Sequence, residues 1–231
     1  MIDIPSQIDV ATAVTGKKKV TLFGYSQGTA ASMYGLVKNR PFYETHVDRA
    51  IMMAFCVVPP TKGKTYEDSV AEYGYFAKQG SIILNMLSDT DVQFNDGNAP
   101  AERLSTVKTL LHMTQISHAG QFQEPIPFAD YVKGTRTSAL VDLGKIDYLP
   151  VTVMIGSDDD TCFPAAAKSA FDLIGTSNKW FYEDAGLNHY SYTGPMDTAA
   201  MLNVIETGNR EGDSALGFGL IGLLAATSAL F

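Results

Sequence analysis

Four short runs rich in apolar residues alternate along the chain with segments whose apolar residues recur at helical spacing. Runs of this length are typical of strands buried in a parallel sheet, and they lie near residues 20–23, 49–55, 150–155 and 179–183. Helical spacing predicts helices over residues 3–15, 28–39, 164–174 and 196–207. Strands that alternate with helices predict a mostly parallel α/β sheet flanked by helices.

The pattern loosens between residues 57 and 137, where helical stretches near 66–78 and 100–119 are separated by turn residues. This block is predicted to be an insertion in the α/β core. The predicted organisation is therefore a core of residues 1–56 and 138–208, an insertion of residues 57–137, and a tail of residues 209–231.

Composition excludes several classes of protein. Seventeen Lys and Arg residues against 25 Asp and Glu residues give a net charge of −8. Since a nucleic-acid backbone requires a positive surface, no nucleic-acid partner is expected. Two cysteines, Cys56 and Cys162, are too few for a disulfide scaffold or a four-cysteine zinc site.

The motif Gly24-Tyr25-Ser26-Gln27-Gly28 stands between a predicted strand and a predicted helix. This G-x-S-x-G pattern in that context predicts a nucleophile elbow, in which a strained turn exposes the serine Oγ at a helix N-terminus. A side chain at Gly24 or Gly28 would collide with the closely packed strand and helix. The alternative interpretation is an ordinary glycine-rich turn.

A serine nucleophile needs a base, and the base needs an acid that orients it. Asp159 follows the strand near 150–155, and His189 follows the strand near 179–183, so both occupy the expected order Ser, Asp, His. Asp158 is the second choice for the acid, and a structural role remains the alternative for His189. The other three histidines, His46, His112 and His118, are predicted to be surface or packing residues.

Several motifs together resemble the acid lipase family of α/β-hydrolases, the group that contains gastric and lysosomal acid lipases. Gly24 to Thr29 is similar to that family's G-H-S-Q-G-T elbow, with Tyr25 in place of histidine. The segments Leu111 to Gln115 and Gly120 to Gln123 look like its H-W-x-Q and G-x-F-Q signature, and Asn188-His189 matches its N-H pair. The resemblance extends from residue 3 to about residue 207.

The resemblance implies a partial α/β-hydrolase fold with about four core strands and a reduced helical cap at residues 57–137. It implies a lipase that cleaves fatty-acyl esters, such as triglycerides or sterol esters, with neither a metal nor an organic cofactor. Ser26 would be the nucleophile, His189 the base and Asp159 the acid, while the Gln27 amide would form half of an oxyanion hole. Tyr25, Phe122 and Phe128 would contact the substrate, although ordinary core packing is the alternative for each aromatic residue.

The chain departs from that family before the elbow, where about nineteen residues stand in place of several strands. The loop that donates the second oxyanion N–H has no counterpart. One expectation is a fragment whose upstream part carried a signal peptide and the remaining strands. The alternative is a genuine short product that is inactive or is completed by another chain. The alternatives to a lipase function are a non-catalytic, membrane-tethered lipid-binding remnant and a general esterase or thioesterase.

Two further features bear on the compartment. Cys56 and Cys162 both follow predicted neighbouring strands, so a disulfide and two free thiols are equally compatible with the sequence. Residues 214–231 carry no charge and follow the polar hinge 209–213, which predicts a membrane span or a signal for a glycolipid anchor, with packing against the domain as the alternative. We expect the secretory pathway, with an extracellular or lysosomal destination.

Overall fold

The computed structural model describes residues 3–65, 68, 92–94, 103–105, 107–127, 130, 133–193, 204 and 206. In chain order the elements are α1 (Asp3–Thr15), β1 (Val20–Tyr25), α2 (Gln27–Lys38), α3 (Arg40–His46), β2 (Val47–Met53), β3 (Val92–Phe94), β4 (Arg103–Ser105), α4 (Val107–Ala119), β5 (Val151–Gly156), α5 (Pro164–Asp172) and β6 (Lys179–Asp184). Short 3₁₀ helices span Leu143–Lys145 and His189–Thr193.

The chain divides into two compact units. Among the described residues, those up to Val57 and from Asp142 onward form the first unit, and those from Val58 to Val141 form the second. The first unit contains a sheet of four parallel strands in the order β1-β2-β5-β6. The predicted parallel sheet and its four strands are confirmed.

Burial explains why these segments form strands. All six residues of β5 are buried, as expected for an inner strand covered on both faces. One core cluster of the first unit joins Phe23, Ile51 and Met154 from three neighbouring strands with Tyr192 and Val204. The sheet thus supplies a rigid base, and the loops after its strands share one edge because all four strands run in the same direction.

Local signals set the helix ends. Gly16 has a φ of +67°, and its N–H bonds the carbonyl of Thr12, so a left-handed residue ends α1 where the sequence predicts. Helix α3 was not predicted; it follows α2 directly and has Pro41 in its first turn. Proline at this position is a known helix-start signal.

The second unit differs from the prediction in one respect. The predicted helix over residues 100–119 begins only at Val107, because Arg103–Ser105 pairs antiparallel with Val92–Phe94. Three-residue strands are too short for an alternation of polar and apolar residues to reveal them.

A buried polar network organises the second unit. The Gln115 amide nitrogen donates to Oε1 of Gln123 at 3.0 Å and approaches Ser138 Oγ at 2.9 Å. His112 Nε2 donates to the carbonyl of Gln123 at 2.7 Å, and burial lowers the pKa of that imidazole. His112, Gln115 and Gln123 belong to the predicted signature of the 57–137 insertion, and their hydrogen bonds hold α4 to the segment that follows it.

Several predicted features lie outside the described residues. They are the helix near 66–78 apart from Asp68, most of the helix at 196–207, Phe128, and the tail from residue 209 onward. Within the part of the chain that the structure describes, every helix is too short or too polar to cross a bilayer.

Candidate active site

Ser26 occupies the turn between β1 and α2 with φ 53° and ψ −125°, a conformation that L-residues rarely adopt. The turn is held from both sides. The Ser26 N–H donates to the Met53 carbonyl at 3.1 Å, and the Ser26 carbonyl accepts from the Thr29 amide at 2.9 Å. Because the surrounding bonds fix this strained backbone, the serine hydroxyl stands at the N-terminus of α2.

Close packing explains the glycine at the start of the motif. A Cβ on Gly24 would lie 2.7 Å from Met52 Sδ and 3.0 Å from Thr29 Cα. Gly28 is buried in the first turn of α2. The N–H of Gln27, in the same turn, has no partner within the helix and points along the helix dipole.

His189 links two side chains that are far apart in the sequence. Its Nε2 lies 2.8 Å from Ser26 Oγ, and its Nδ1 lies 2.9 Å from Asp159 Oδ2. Since an ionised carboxylate only accepts hydrogen bonds, Nδ1 carries the proton and Nε2 accepts from the serine hydroxyl. Both His189 and Asp159 are buried. The structure therefore brings together all three predicted triad residues.

Asp159 lies in the loop of residues 157–163 between β5 and α5, here called the acid loop, and its hydrogen bonds distinguish it from the neighbouring aspartates. Asp159 Oδ1 accepts from the backbone N–H of Cys162 at 2.7 Å and of Thr161 at 2.9 Å, leaving Oδ2 for His189. Asp158 and Asp160 are exposed, and their carboxylates accept from Ser157 and Thr161 hydroxyls instead. Asp159, and neither of its neighbours, lies against the imidazole.

The base loop, residues 185–188, joins β6 to the 3₁₀ helix that begins at His189. Hydrogen bonds connect the acid loop to the base loop and to the end of β6. The Ser157 N–H donates to the Asp184 carbonyl, and the Asp158 N–H donates to the Leu187 carbonyl, each at 2.9 Å. The Gly186 N–H donates to Ser157 Oγ at 2.9 Å. Bonds of this kind couple the position of Asp159 to that of His189.

Asn188 prepares the backbone for His189. Its side-chain oxygen accepts from the Tyr190 N–H at 3.0 Å, which caps the 3₁₀ helix His189–Thr193. Its own N–H bonds Ser191 Oγ at 3.0 Å. In the Asn188-His189 pair noted in the sequence, Asn188 thus caps the 3₁₀ helix and His189 is the first residue of that helix.

The three residues predicted to contact the substrate differ in where they lie. Tyr25 borders the imidazole, with ring centroids 5.5 Å apart, and burial raises the pKa of its phenol to about 12. Phe122 is buried within the second unit, and Phe128 lies outside the described residues.

The metal-binding capacity of the site can be read from its donors. In the described part of the chain, Asp159, Cys162 and His189 have ligand-type atoms within 4.8 Å of one another. However, Cys162 is bonded to Cys56 in a disulfide with a Cα–Cα distance of 5.2 Å. The remaining two donors are bonded to each other, so the cluster is a hydrogen-bonded site rather than an open ligand set.

Comparison with solved structures assigns the fold. A soluble variant of monoglyceride lipase from Saccharomyces cerevisiae, in complex with a substrate analog, matches with a TM-score of 0.52 and 12% identity, covering 89% of this chain and 64% of that one. The monoacylglycerol lipase of Paleococcus ferrophilus matches with a TM-score of 0.52 and 14% identity, covering 88% and 72%. The fold is a partial α/β-hydrolase fold.

This chain spans less than two thirds of the yeast enzyme's length. No protein-family model and no curated protein sequence matches it. The predicted α/β-hydrolase fold is confirmed, whereas membership of the acid lipase family stays a prediction.

Thr29 belongs to the elbow motif, but its structural role was not predicted. Thr29 is fully buried, and its hydroxyl donates to the Ser26 carbonyl at 2.6 Å while accepting from the Cys56 N–H at 2.9 Å. A threonine three residues after a helix N-cap is a recognisable signal, because its hydroxyl reaches the backbone of the preceding turn.

Proposed function

We propose that this chain is a serine ester hydrolase that cleaves fatty-acyl esters through an acyl-enzyme. One observation carries the proposal: Ser26, in a strained turn at a helix N-terminus, is hydrogen-bonded through His189 to Asp159. Serine, imidazole and buried carboxylate in this series are the groups that nucleophilic acyl transfer requires.

The mechanism follows from the atoms involved. Ser26 Oγ attacks the ester carbonyl carbon while His189 Nε2 takes its proton, and the Asp159 carboxylate stabilises the resulting imidazolium. The oxyanion that develops is stabilised by the Gln27 N–H and the positive end of α2. The imidazolium then protonates the leaving alkoxide. Water then attacks the acyl-enzyme while His189 Nε2 takes a proton from it, and the imidazolium returns that proton to Ser26 Oγ as the fatty acid leaves.

Lipid esters are the proposed substrate class. The motifs that resemble acid lipases favour triglycerides or sterol esters, and both solved structures described above are enzymes named for monoacylglycerol. Contacts of the acyl chain with Tyr25, Phe122 and Phe128 are part of this proposal. So is the assignment of residues 57–137 as a cap over the substrate, with residues 1–56 and 138–208 as the core.

The proposed location is the secretory pathway, ending outside the cell or in the lysosome. The Cys56–Cys162 bridge supports it, because disulfides persist in oxidising compartments. Residues 214–231 are proposed to attach the chain to a membrane, as a span or as a signal for a glycolipid anchor.

Labelling with a fluorophosphonate probe tests the activity. We expect the probe to modify the wild-type chain at Ser26, located by peptide mass spectrometry, and to leave Ser26→Ala unmodified. A set of p-nitrophenyl esters from acetate to palmitate, with monooleoylglycerol, triolein and cholesteryl oleate, then separates the substrate classes. Preference for acetate would indicate a general esterase. Absence of labelling at Ser26 would overturn the serine hydrolase proposal.

A further inference from the structure

The disulfide between Cys56 and Cys162 lies within the same hydrogen-bonded system as the triad. Cys56 follows β2, and Cys162 follows the acid loop after β5, the strand that pairs with β2. Both residues are buried, with exposed fractions of 6% and 1%. Each uses its backbone N–H to bond a side chain of the candidate active site.

At one end, the Cys162 N–H donates the shorter of the two backbone hydrogen bonds to Asp159 Oδ1, at 2.7 Å. The other carboxylate oxygen of Asp159 faces His189 Nδ1. Because a carboxylate is planar, the bond at Oδ1 sets the direction in which Oδ2 accepts from the imidazole. The Cys162 N–H, together with the Thr161 N–H at 2.9 Å, therefore holds the carboxylate of the acid in this orientation.

At the other end, the Cys56 N–H donates to Thr29 Oγ1 at 2.9 Å, and that hydroxyl donates to the Ser26 carbonyl at 2.6 Å. A continuous path thus runs from Ser26 through Thr29 to Cys56. It crosses the disulfide to Cys162, reaches Asp159, and returns to Ser26 through His189.

The sheet order explains why such a path is useful. Ser26 follows β1 and Asp159 follows β5, and these two strands are separated by β2. Nothing in the pairing of β1 with β2 fixes the loop that comes after β5. The disulfide joins the loop after β2 to the loop after β5, and Thr29 joins the loop after β2 to the elbow.

We propose that the Cys56–Cys162 disulfide is a positioning device for Asp159, which fixes the acid of the triad relative to the nucleophile elbow. The inference rests on the proposed hydrolase function and assigns the bridge a part in that reaction. If the bridge only stabilised the fold, its removal would lower the unfolding temperature and leave the turnover of the folded chain unchanged.

A double-mutant cycle distinguishes the two roles. The four proteins are the wild type, Cys56→Ser/Cys162→Ser, Asp159→Asn, and the triple variant. The readouts are the rate constant of fluorophosphonate labelling at Ser26, and kcat and KM for p-nitrophenyl butyrate. Circular dichroism and the unfolding temperature monitor folding.

We expect the double serine variant to lose at least about tenfold in kcat and in labelling rate, with KM changed by less than about twofold. Displacement of a reacting group by about 1 Å costs on the order of 10²-fold. In the Asp159→Asn background the same serine substitutions should cause no further loss, because the acid through which the bridge acts has gone. The unfolding temperature should fall equally in both backgrounds.

A second pair of variants serves if the serine variants fail to fold. Thr29→Val removes the hydroxyl that joins Cys56 to the Ser26 carbonyl, whereas Thr29→Ser keeps it, and both retain the disulfide. The valine variant should lose about tenfold in kcat, and the serine variant should stay near wild type.

The outcomes are separable. Equal losses of kcat with and without the Asp159 carboxylate, or unchanged kcat in the double serine variant, would overturn the positioning role alone. So would equal kcat in Thr29→Val and Thr29→Ser. A wild-type chain that the probe does not modify at Ser26 would overturn the hydrolase proposal, and the positioning role with it.

Discussion

The hydroxyl of Tyr25 donates a hydrogen bond to the backbone carbonyl of His189 across 3.1 Å. Tyr25, which precedes the proposed nucleophile Ser26, therefore holds the backbone of His189, whose ring is hydrogen-bonded to Ser26. The two residues are 164 positions apart in the sequence. They meet because both follow the carboxyl ends of parallel strands, β1 and β6, which lie on the same side of the sheet.

Tyr25→Phe tests this contact. Removing the hydroxyl should lower the free energy of unfolding by about 1 kcal/mol, since a net hydrogen bond contributes ~0.5–1.5 kcal/mol, and should reduce kcat by less than about tenfold. Urea denaturation and ester hydrolysis would measure the two effects. Unchanged stability together with unchanged kcat would show that the bond contributes to neither.

The same residue predicts an alkaline dependence of stability. Burial raises the pKa of Tyr25 from 10.0 to about 12, so between these values the native chain keeps a proton that the unfolded chain has lost. Stability therefore falls as the pH rises through that window. Burial raises the pKa of Tyr43 to about 12 as well, so Tyr25→Phe should weaken the alkaline fall without abolishing it.

Asp159→Asn should reduce kcat by about 10⁴-fold, because an amide facing Nδ1 favours the wrong tautomer of His189. Asp158→Asn is the matched control. Its exposed carboxylate accepts from a serine hydroxyl, and its loss should change kcat by less than about twofold. Ester hydrolysis by the two purified variants makes the comparison. A larger defect in Asp158→Asn would move the acid by one residue.

Ser26→Gly should inactivate the chain and stabilise it relative to Ser26→Ala. Both variants lose the nucleophile, which costs on the order of 10⁶-fold in kcat when a triad serine is removed. Only the glycine relieves the backbone strain at φ 53°. The difference should be about 1 kcal/mol, or a ~2–4 °C higher unfolding temperature for Ser26→Gly. Equal unfolding temperatures would mean that the turn stores no strain.

Gly156→Ala should push the acid loop away from the base loop, because the added Cβ would collide with the base-loop backbone. A Cβ at this position would lie 2.0 Å from the Leu187 carbonyl oxygen, which belongs to backbone and cannot rotate away. We expect a loss of about 3 kcal/mol in stability, as in severe overpacking, and a large fall in kcat because His189 follows that loop.

Gly144→Ala is the control for that substitution. Its Cβ would approach Oδ1 of Asp142 at 2.9 Å, the end of a side chain that can move. Its effect on stability should be smaller, with kcat unchanged. Similar losses in both alanine variants would contradict the packing argument, and thermal unfolding with ester hydrolysis measures them.

The proposed membrane tail predicts a difference between the full chain and a chain ending at residue 213. Expressed with a secretory signal, the full chain should sediment with membranes, and the shortened chain should be recovered in the medium. Treatment with a phosphatidylinositol-specific phospholipase would release a glycolipid-anchored form and leave a spanning form in place. Recovery of both chains in the soluble fraction would exclude attachment through residues 214–231.

The sheet was predictable because its strands carry short apolar runs, of which the one in Val151–Gly156 is wholly buried. The three residues of the proposed triad could be picked out because the elbow motif has few structural alternatives and the order Ser, Asp, His follows the strand order. The choice between Asp158 and Asp159 was harder. It depends on the backbone N–H groups of Thr161 and Cys162, and a sequence does not show where such donors point.

Other features had weaker signals or none. The pairing of Val92–Phe94 with Arg103–Ser105 rests on backbone bonds between three-residue segments, for which composition carries little information. Whether the two cysteines form a disulfide could not be predicted, because cysteines that follow neighbouring strands can lie close together without bonding. The link from Thr29 to Cys56 depends on that neighbourhood in three dimensions, and no spacing in the sequence encodes it.

The bridge closes a loop between positions 106 residues apart, and the whole second unit lies inside that loop. Proteolytic nicking between residues 58 and 141 would therefore yield two pieces that stay covalently joined, one carrying Ser26 and the other carrying Asp159 and His189. On a gel without reductant the nicked protein would migrate as one species, and with reductant as two. A cut within the second unit would therefore leave Ser26 and His189 in one covalently joined molecule.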